Sequence, residues 1–410
     1  MTQPSRACRA CGSSSLQLTW DLHPSPYGDR FVTTRASAKA IHPLGLSLLI
    51  CGECSLVQLA QDVDAEEVYV DYLYHSSVTV GLASFYVRLA RALIAELAID
   101  AHSLVVDVGS NDGTGLQPFQ NAGMRVAGIE PSSGPSQAAI ARGIPTVNSF
   151  LDAESADAIR AEHGLSSLVC ANYVLANVPE PVEFLRLMRS MLEPGGAISI
   201  VTGYHPDQFA VNMFEYVNHD HLTYLSVTSA IRIAELAGLQ LVSVRRVEHK
   251  GGSIHLLLRP EEAGASADES TSQLRQREAW LDINSPAFFR ETANRVEAVG
   301  TTVRDMLRQA GASSLAGVGA SISTTHLLHQ FSIGALIGRL FDDDPNKVGR
   351  FSPGFGIEVS QLDELGRGDW DTAVLLAWQH SVKLRQRIHE TGFRGRLLVP
   401  LPRPEIVDLG

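Results

Sequence analysis

From Ser103 onward the chain alternates short apolar runs with helical stretches. Nothing else in its 410 residues restricts the fold as much. Residues 104–108, 125–130, 145–147, 167–171 and 197–201 each read as a strand, with helical sequence between them. Strands that alternate with helices imply a mostly parallel sheet covered on both faces. The last helix of this set reads as ending at Glu193-Pro194-Gly195-Gly196, a stop followed by a turn. Residues 239–247 and 253–258 add a terminal hairpin, with Lys250-Gly251-Gly252 as its turn. A linker rich in Ala, Ser, Glu and Gly follows at 261–272, then a long helix over 273–310, broken near Pro286. A second strand set lies at 315–318, 338–342, 372–376 and 396–399. The fold class is α/β, with two doubly wound units.

The residues before this region read differently. Residues 1–65 are loop-rich, with Pro24, Pro26, Gly28 and Pro43 as turn signals, and 65–99 read as mostly helical. Four of the five cysteines form two pairs, Cys8-x-x-Cys11 and Cys51-x-x-Cys54; the fifth, Cys170, sits in an apolar run. A CxxC turn lets two thiolates reach one ion, and Zn²⁺ takes four ligands in a tetrahedron. In a chain read as cytosolic, the pairs point to a metal before disulfides. No ligand is left over for an open position, so Zn²⁺ is expected to be structural. The domains expected are a zinc-binding module at 1–65, a class I (Rossmann-like) α/β unit with a helical lead-in at 66–260, and a C-terminal Rossmann-like α/β domain at 261–410.

The loop Asp107-Val108-Gly109-Ser110-Asn111-Asp112-Gly113 leaves the first strand of the parallel sheet. Glycine there lets backbone approach a cofactor closely. The next strand ends in Glu130, placed for ribose hydroxyls. A dinucleotide site calls for GxGxxG, whereas this loop reads GxxxG. That fits S-adenosylmethionine, which has no pyrophosphate to cradle, better than NAD. The cofactor set expected is Asp107, Gly109, Ser110, Asn111, Asp112, Glu130 and Asn172, with Phe150 either against adenine or in the core.

After the fifth strand comes Phe214-Glu215-Tyr216-Val217-Asn218-His219-Asp220-His221-Leu222-Thr223-Tyr224. Loops at the carboxyl ends of parallel strands form the ligand crevice. An imidazole there can take a proton from a weakly acidic carbon, and a carboxylate beside it can orient it. The catalytic candidates are His221, ahead of His219, with Asp220 and Tyr224. Ordinary packing and a second metal site are the rival readings.

Taken together, these motifs resemble the sugar C-methyltransferases of antibiotic biosynthesis, which act on nucleotide-linked keto-deoxysugars. The resemblance spans nearly the whole chain. It runs from the four cysteines through Gly128-Ile129-Glu130-Pro131-Ser132 and the histidine segment to Gly251-Gly252-Ser253. It continues into Gly317-Val318-Gly319-Ala320, Asp342-Asp343-Asp344-Pro345-Asn346-Lys347-Val348-Gly349, Ser352-Pro353-Gly354 and Ala377-Trp378. It implies that His221 removes a proton beside a ketone and that the enolate takes the methyl group, largely through positioning. It implies that Asp220 matches a glutamate beside the base, and that Tyr72, Tyr74 and Ser76 reach the substrate. It further implies that the C-terminal domain helps enclose the sugar and its nucleotide. Asn177, Asn218, Ser323 and Gln379 stand where the family has His, Tyr, Lys and Asn. These departures bear on the acceptor rather than the methyl donor, and leave room for a non-sugar scaffold or a repurposed cofactor-binding protein.

The net charge of −12 argues against nonspecific nucleic-acid binding. No apolar run reaches the roughly 18 residues of a membrane span, and the N-terminus has no apolar signal core. A cytoplasmic monomer or homodimer acting on a small molecule is expected.

Overall fold

The computed structural model describes residues 6–63, 75–78, 81–264, 266–310 and 314–409. Three sheets organise them.

The central sheet has seven strands. These are β4 (Leu104–Val108), β5 (Arg125–Ile129), β6 (Thr146–Val147), β7 (Ser166–Asn172), β8 (Leu192–Gly203), β10 (Leu239–Val247) and β11 (Ser253–Pro260). Their spatial order is β10-β11-β8-β7-β4-β5-β6. Strands β8 to β6 run parallel, and β11 pairs antiparallel with β8 and with β10. Every residue of β4 is buried, as a parallel strand covered on both faces requires. The longer helices around it are α1 (Leu82–Leu97), α2 (Ser133–Ala141), α3 (Ala153–His163), α4 (Pro181–Ser190) and α5 (Val227–Leu236). The chain builds outward from β4 through β5 to β6, then crosses back to β7, so the switch point lies beside β4.

Two local expectations change here. Glu193-Pro194-Gly195-Gly196 is not a helix stop: α4 ends at Ser190 and these residues lie within β8. Leu192 pairs with Ser166 and Ala197 with Leu168, so the Pro-Gly stretch is a bulge on the β8 side. The stretch expected as a linker already turns helical at Glu269. Helix α6 (Glu269–Trp280) packs on β10 and α5. Glu278, buried, accepts hydrogen bonds from the Val227 and Thr228 backbone N–H groups and the Tyr204 hydroxyl. The carboxylate thereby caps the N-terminus of α5. The break at Pro286 is real: α7 (Pro286–Gln309) starts there, capped by Ser285.

Residues 1–65 are less loop-rich than the turn signals suggest. β1 (Leu16–Ser25), β2 (Leu44–Cys51) and β3 (Val57–Leu59) form an antiparallel sheet. Leu46, Leu48 and Ile50 alternate inward along β2. The fourth strand, β9 (Thr223–Tyr224), comes from the histidine segment: Val57 pairs with Tyr224 and Gln58 with Thr223.

The C-terminal sheet has the order β14-β13-β12-β15-β16-β17. Its strands are β12 (Leu315–Val318), β13 (Ile337–Asp342), β14 (Val359–Gln361), β15 (Thr372–Leu375), β16 (Arg396–Val399) and β17 (Glu405–Asp408). All run parallel except β17, an antiparallel edge. Helices α8 (Ile322–Gln330) and α9 (Ser381–Glu390) lie on it. One apolar core joins this sheet to α7, to β1–β3 and to the histidine segment. No helix among the described residues is long and apolar enough to cross a membrane.

Candidate active site and metal site

The two CxxC turns meet. The Sγ atoms of Cys8, Cys11, Cys51 and Cys54 all lie within 4.8 Å of one another. Cys8 and Cys54 are 3.5 Å apart, and Cys11 and Cys51 3.6 Å. A tetrahedron with Zn–S bonds of about 2.3 Å has edges of roughly 3.8 Å, so the four thiols fit zinc. Cys8, Cys51 and Cys54 are buried and share a core cluster with the central sheet. A metal here would anchor the module where it meets that sheet, away from the crevice.

The crevice opens at the switch point. A cavity of about 960 Å³ lies there, large enough for a nucleotide-type cofactor together with an acceptor. Gly109, Asn111, Glu130, Phe150 and Asn172 line it, while Asp107, Ser110 and Asp112 are buried behind. Gly109 has φ +70°, and a Cβ on it would stand 2.4 Å from Val174 Cγ2, so only glycine suits the turn. The N–H of Asn111 donates to Glu130 Oε2 at 2.9 Å, and that of Ser132 to Oε1 at 2.8 Å. These bonds aim the Glu130 carboxyl into the cavity. Asn111 Oδ1 in turn accepts from the Ser76 N–H, 2.7 Å away. Burial, then the charge of Glu130, pushes Asp107 up to about 7. Asp107 Oδ1, Asn172 Oδ1 and Asn177 Oδ1 are buried without a hydrogen-bond partner. Orphaned acceptors at a cavity wall suit a ligand that brings donors, such as an amino acid ammonium or a ribose.

One main-chain bond ties the histidine segment to the edge of this cavity. The N–H of Leu222 donates to Ala176 at 2.7 Å, next to cavity-lining Asn177. His221 Nδ1 is 2.7 Å from the Tyr216 carbonyl oxygen, and the Tyr216 ring stacks on the imidazole at 4.1 Å. The Asn218 amide nitrogen also lies 3.2 Å from Nδ1, but the carbonyl is nearer and only accepts, so the proton is assigned to Nδ1 and the lone pair to Nε2. Burial lowers His221 to about 4, aided by the charge of Lys250 and opposed by the Tyr216 carbonyl. The imidazole is neutral at physiological pH. The orienting partner is thus a main-chain carbonyl, where the sequence pointed to a neighbouring carboxylate. Asp220 is pushed up to about 7 by burial and by Asp29.

The other candidates sit elsewhere. His219 donates from Nε2 to the Gly45 carbonyl at 3.0 Å and packs against Tyr27 and His326, between the N-terminal sheet and α8. Tyr224 is buried in β9, its hydroxyl donating to the Asn218 carbonyl. Tyr72 and Tyr74 lie outside the described residues; Ser76 lines the cavity.

The sequence reading passed over three residues. Glu215, fully buried, receives the Trp378 indole N–H and the Gln379 amide from the C-terminal domain. Burial raises it to about 8. Lys250 and Tyr173 line the cavity together. Glycines next to Lys250 marked a turn and hid its side chain's role; its left-handed backbone is the signal only coordinates supply.

The comparisons with known proteins find three matching segments. Family models match residues 8–69 ("Putative zinc binding domain"), 82–244 ("Methyltransferase domain") and 248–402 ("C-methyltransferase C-terminal domain"). The C-methyltransferase NovU of Streptomyces niveus is 26% identical over 414 aligned residues, covering 100% of this chain and 98% of that protein. The chain is an S-adenosylmethionine-dependent methyltransferase with the domain makeup of a C-methyltransferase. An uncharacterized methyltransferase of Mycobacterium leprae is 28% identical over 125 residues, covering 28% of this chain and 46% of that protein. The solved CcbJ methyltransferase of Streptomyces caelestis is 19% identical, covers 44% of this chain and 90% of that chain, and has a TM-score of 0.34. The cavity at Gly109 and Glu130 has room for a nucleotide-type cofactor, and the four cysteines suit a structural zinc.

Proposed function

We propose that this enzyme methylates a carbon next to a ketone on a nucleotide-linked keto-deoxysugar, with His221 as the general base. The observation that carries the reading is the bond from His221 Nδ1–H to the Tyr216 carbonyl, which leaves Nε2 as a neutral proton acceptor. S-adenosylmethionine, when bound, supplies an electrophilic methyl group. Glu130 and Asn172 are assigned to hold it, with Asn111 and Ser110 shaping the loop, Asp107 and Asp112 supporting from behind, and Phe150 at the adenine end. His221 Nε2 takes the proton from the acceptor carbon. Asp220, His219 and Tyr224 are assigned to hold the segment in place rather than to touch the acceptor. Tyr74 keeps its assignment near the substrate from the resemblance alone.

The nucleotide would lie in a second crevice of about 510 Å³ at the switch point of the C-terminal sheet, lined by Gly319, His380, Lys383 and Arg387. Helix α8 starts there, with Ser321 as its cap. A second reading, an acceptor without a diphosphate, draws support from Arg387, which already pairs with Asp343 and Asp363. The test is to incubate nucleoside-diphosphate-linked keto-deoxysugars and the same sugars without the nucleotide with S-adenosylmethionine, and to seek one added methyl group by mass. Only the linked sugars should gain it. His221→Ala should lose turnover yet bind S-adenosylmethionine normally by calorimetry; full turnover in that variant would remove His221 as base.

A further inference from the structure

The turn between β10 and β11 is built on a residue that ordinarily avoids such backbone. Lys250 has φ 52° and ψ 44°, in the left-handed region. Tyr173, one residue beyond the end of β7, has φ 61°. These two strained residues leave different strands of the sheet and bring their side chains together. Lys250 Nζ lies 4.1 Å from the centre of the Tyr173 ring, and both residues line the large cavity. The Tyr173 hydroxyl is tied to His249 Nδ1 at 3.2 Å, which fixes the ring. Strain of this kind persists where surroundings over-determine it, and it clusters at functional sites.

Lys250 is also in a poorly solvated place. Burial lowers its ammonium to about 8, which leaves it a cation at neutral pH. Its charge is among the causes that hold down both His221 and His249. The cation at the cavity wall is therefore within electrostatic reach of His221. Fixed charge aimed at the atom where negative charge develops is among the largest contributions a protein makes to a reaction.

We propose that Lys250 faces the carbonyl oxygen of the acceptor and stabilises the negative charge that gathers there as the adjacent carbon is deprotonated. This rests on the reading of the reaction as enolate formation with His221 as base. In that step the C–H bond next to the carbonyl breaks and its proton passes to His221 Nε2. The electron pair left behind spreads onto the carbonyl oxygen, opposite Lys250 Nζ. Lys250 keeps its own protons and donates a hydrogen bond, while the Tyr173 face holds the ammonium by cation–π attraction.

The test is hydrogen exchange rather than methylation. A nucleoside-diphosphate-linked 4-keto-6-deoxyhexose is incubated in D₂O with the enzyme and S-adenosylhomocysteine, and deuterium entering the carbon next to the ketone is followed by NMR. Lys250→Met should slow exchange by about 100-fold or more, the scale of removing one oxyanion donor. Lys250→Arg, which keeps the charge, should stay within about tenfold of the wild type. S-adenosylmethionine affinity, by calorimetry, should be the same in all three. Exchange at the wild-type rate in Lys250→Met would overturn the assignment of Lys250 alone. So would equal loss in the Met and Arg variants, which marks packing rather than charge. Weakened S-adenosylmethionine binding in Lys250→Met would reassign the cation to the methyl donor and overturn it too. A wild-type enzyme that exchanges no hydrogen would overturn the enolate reading itself, and this inference with it.

Discussion

His221 Nδ1 donates to the carbonyl oxygen of Tyr216 across 2.7 Å, which leaves Nε2 unprotonated. Burial holds the imidazole at about 4, against an ordinary value of 6.5. As the proposed base, His221 is then neutral throughout the physiological range, and protonation would disable it only as pH falls toward 4. A profile of kcat/KM, which reports groups in the free enzyme, should be flat from His221 between pH 6 and 8 and bend only below about pH 5. An acid limb centred near 6.5 would show that a more exposed histidine governs the rate.

Gly203 is packed against the back of the same arrangement. A Cβ there would stand 2.1 Å from the Tyr216 hydroxyl oxygen. Gly203→Ala must displace the Tyr216 ring, and with it the surface on which His221 stacks. The overpacking should cost about 1–3 kcal/mol of stability. Turnover should fall while S-adenosylmethionine affinity holds, because the cofactor loop follows β4 and not β8. Comparing kcat with calorimetric affinity separates the two effects.

Glu215 joins the histidine segment to Trp378 and Gln379 through one carboxyl oxygen. Its folded value of about 8 lies above that of an unfolded glutamate, near 4.5. The folded chain thus binds one more proton between those values, and stability falls as pH rises from about 4.5 to 8. Glu215→Gln keeps an acceptor oxygen and removes the titration. Its stability relative to the wild type should improve steadily across that window, by an amount on the order of a few kcal/mol at its upper end. Denaturant unfolding at pH 5 and pH 8 checks this; a difference that does not change with pH would show that Glu215 is ionised in the fold.

Zinc bears on the base through a strand. β3 pairs on one side with β2, which ends at Cys51, and on the other with β9, which follows His221 by one residue. Stripping the metal with a chelator should lower the unfolding temperature and abolish turnover, and zinc should restore both. Turnover that persists after complete zinc removal, measured by atomic absorption, would separate the module from the catalytic segment.

The parallel core was legible because its strands are unbroken apolar runs. Leu104 to Val108 and Leu315 to Val318 are buried along their whole length, and nothing but a covered strand suits such sequence. The N-terminal sheet was not legible in the same way. β1 carries two register shifts that break its alternation, β3 has only three residues, and β9 only two. Such short strands exist because of their partners, which pattern within a window cannot reveal. The site divides likewise. The loop at Gly109 announces itself because its chemistry is local. The main-chain carbonyl on His221, the Gly45 carbonyl on His219 and the Tyr173 face on Lys250 are tertiary partners, absent from any local spacing.

The pairing of Val57 with Tyr224 has a consequence for how the chain is made. A ribosome releases β1, β2 and β3 long before it reaches β9, so the nascent module carries an open edge at β3 while most of the central sheet is still being synthesised. Closing that edge requires β8 and the turn after it, the very region that delivers His221. The last gap in the oldest part of the molecule is therefore filled in the same act that seats His221, and a half-made chain has neither.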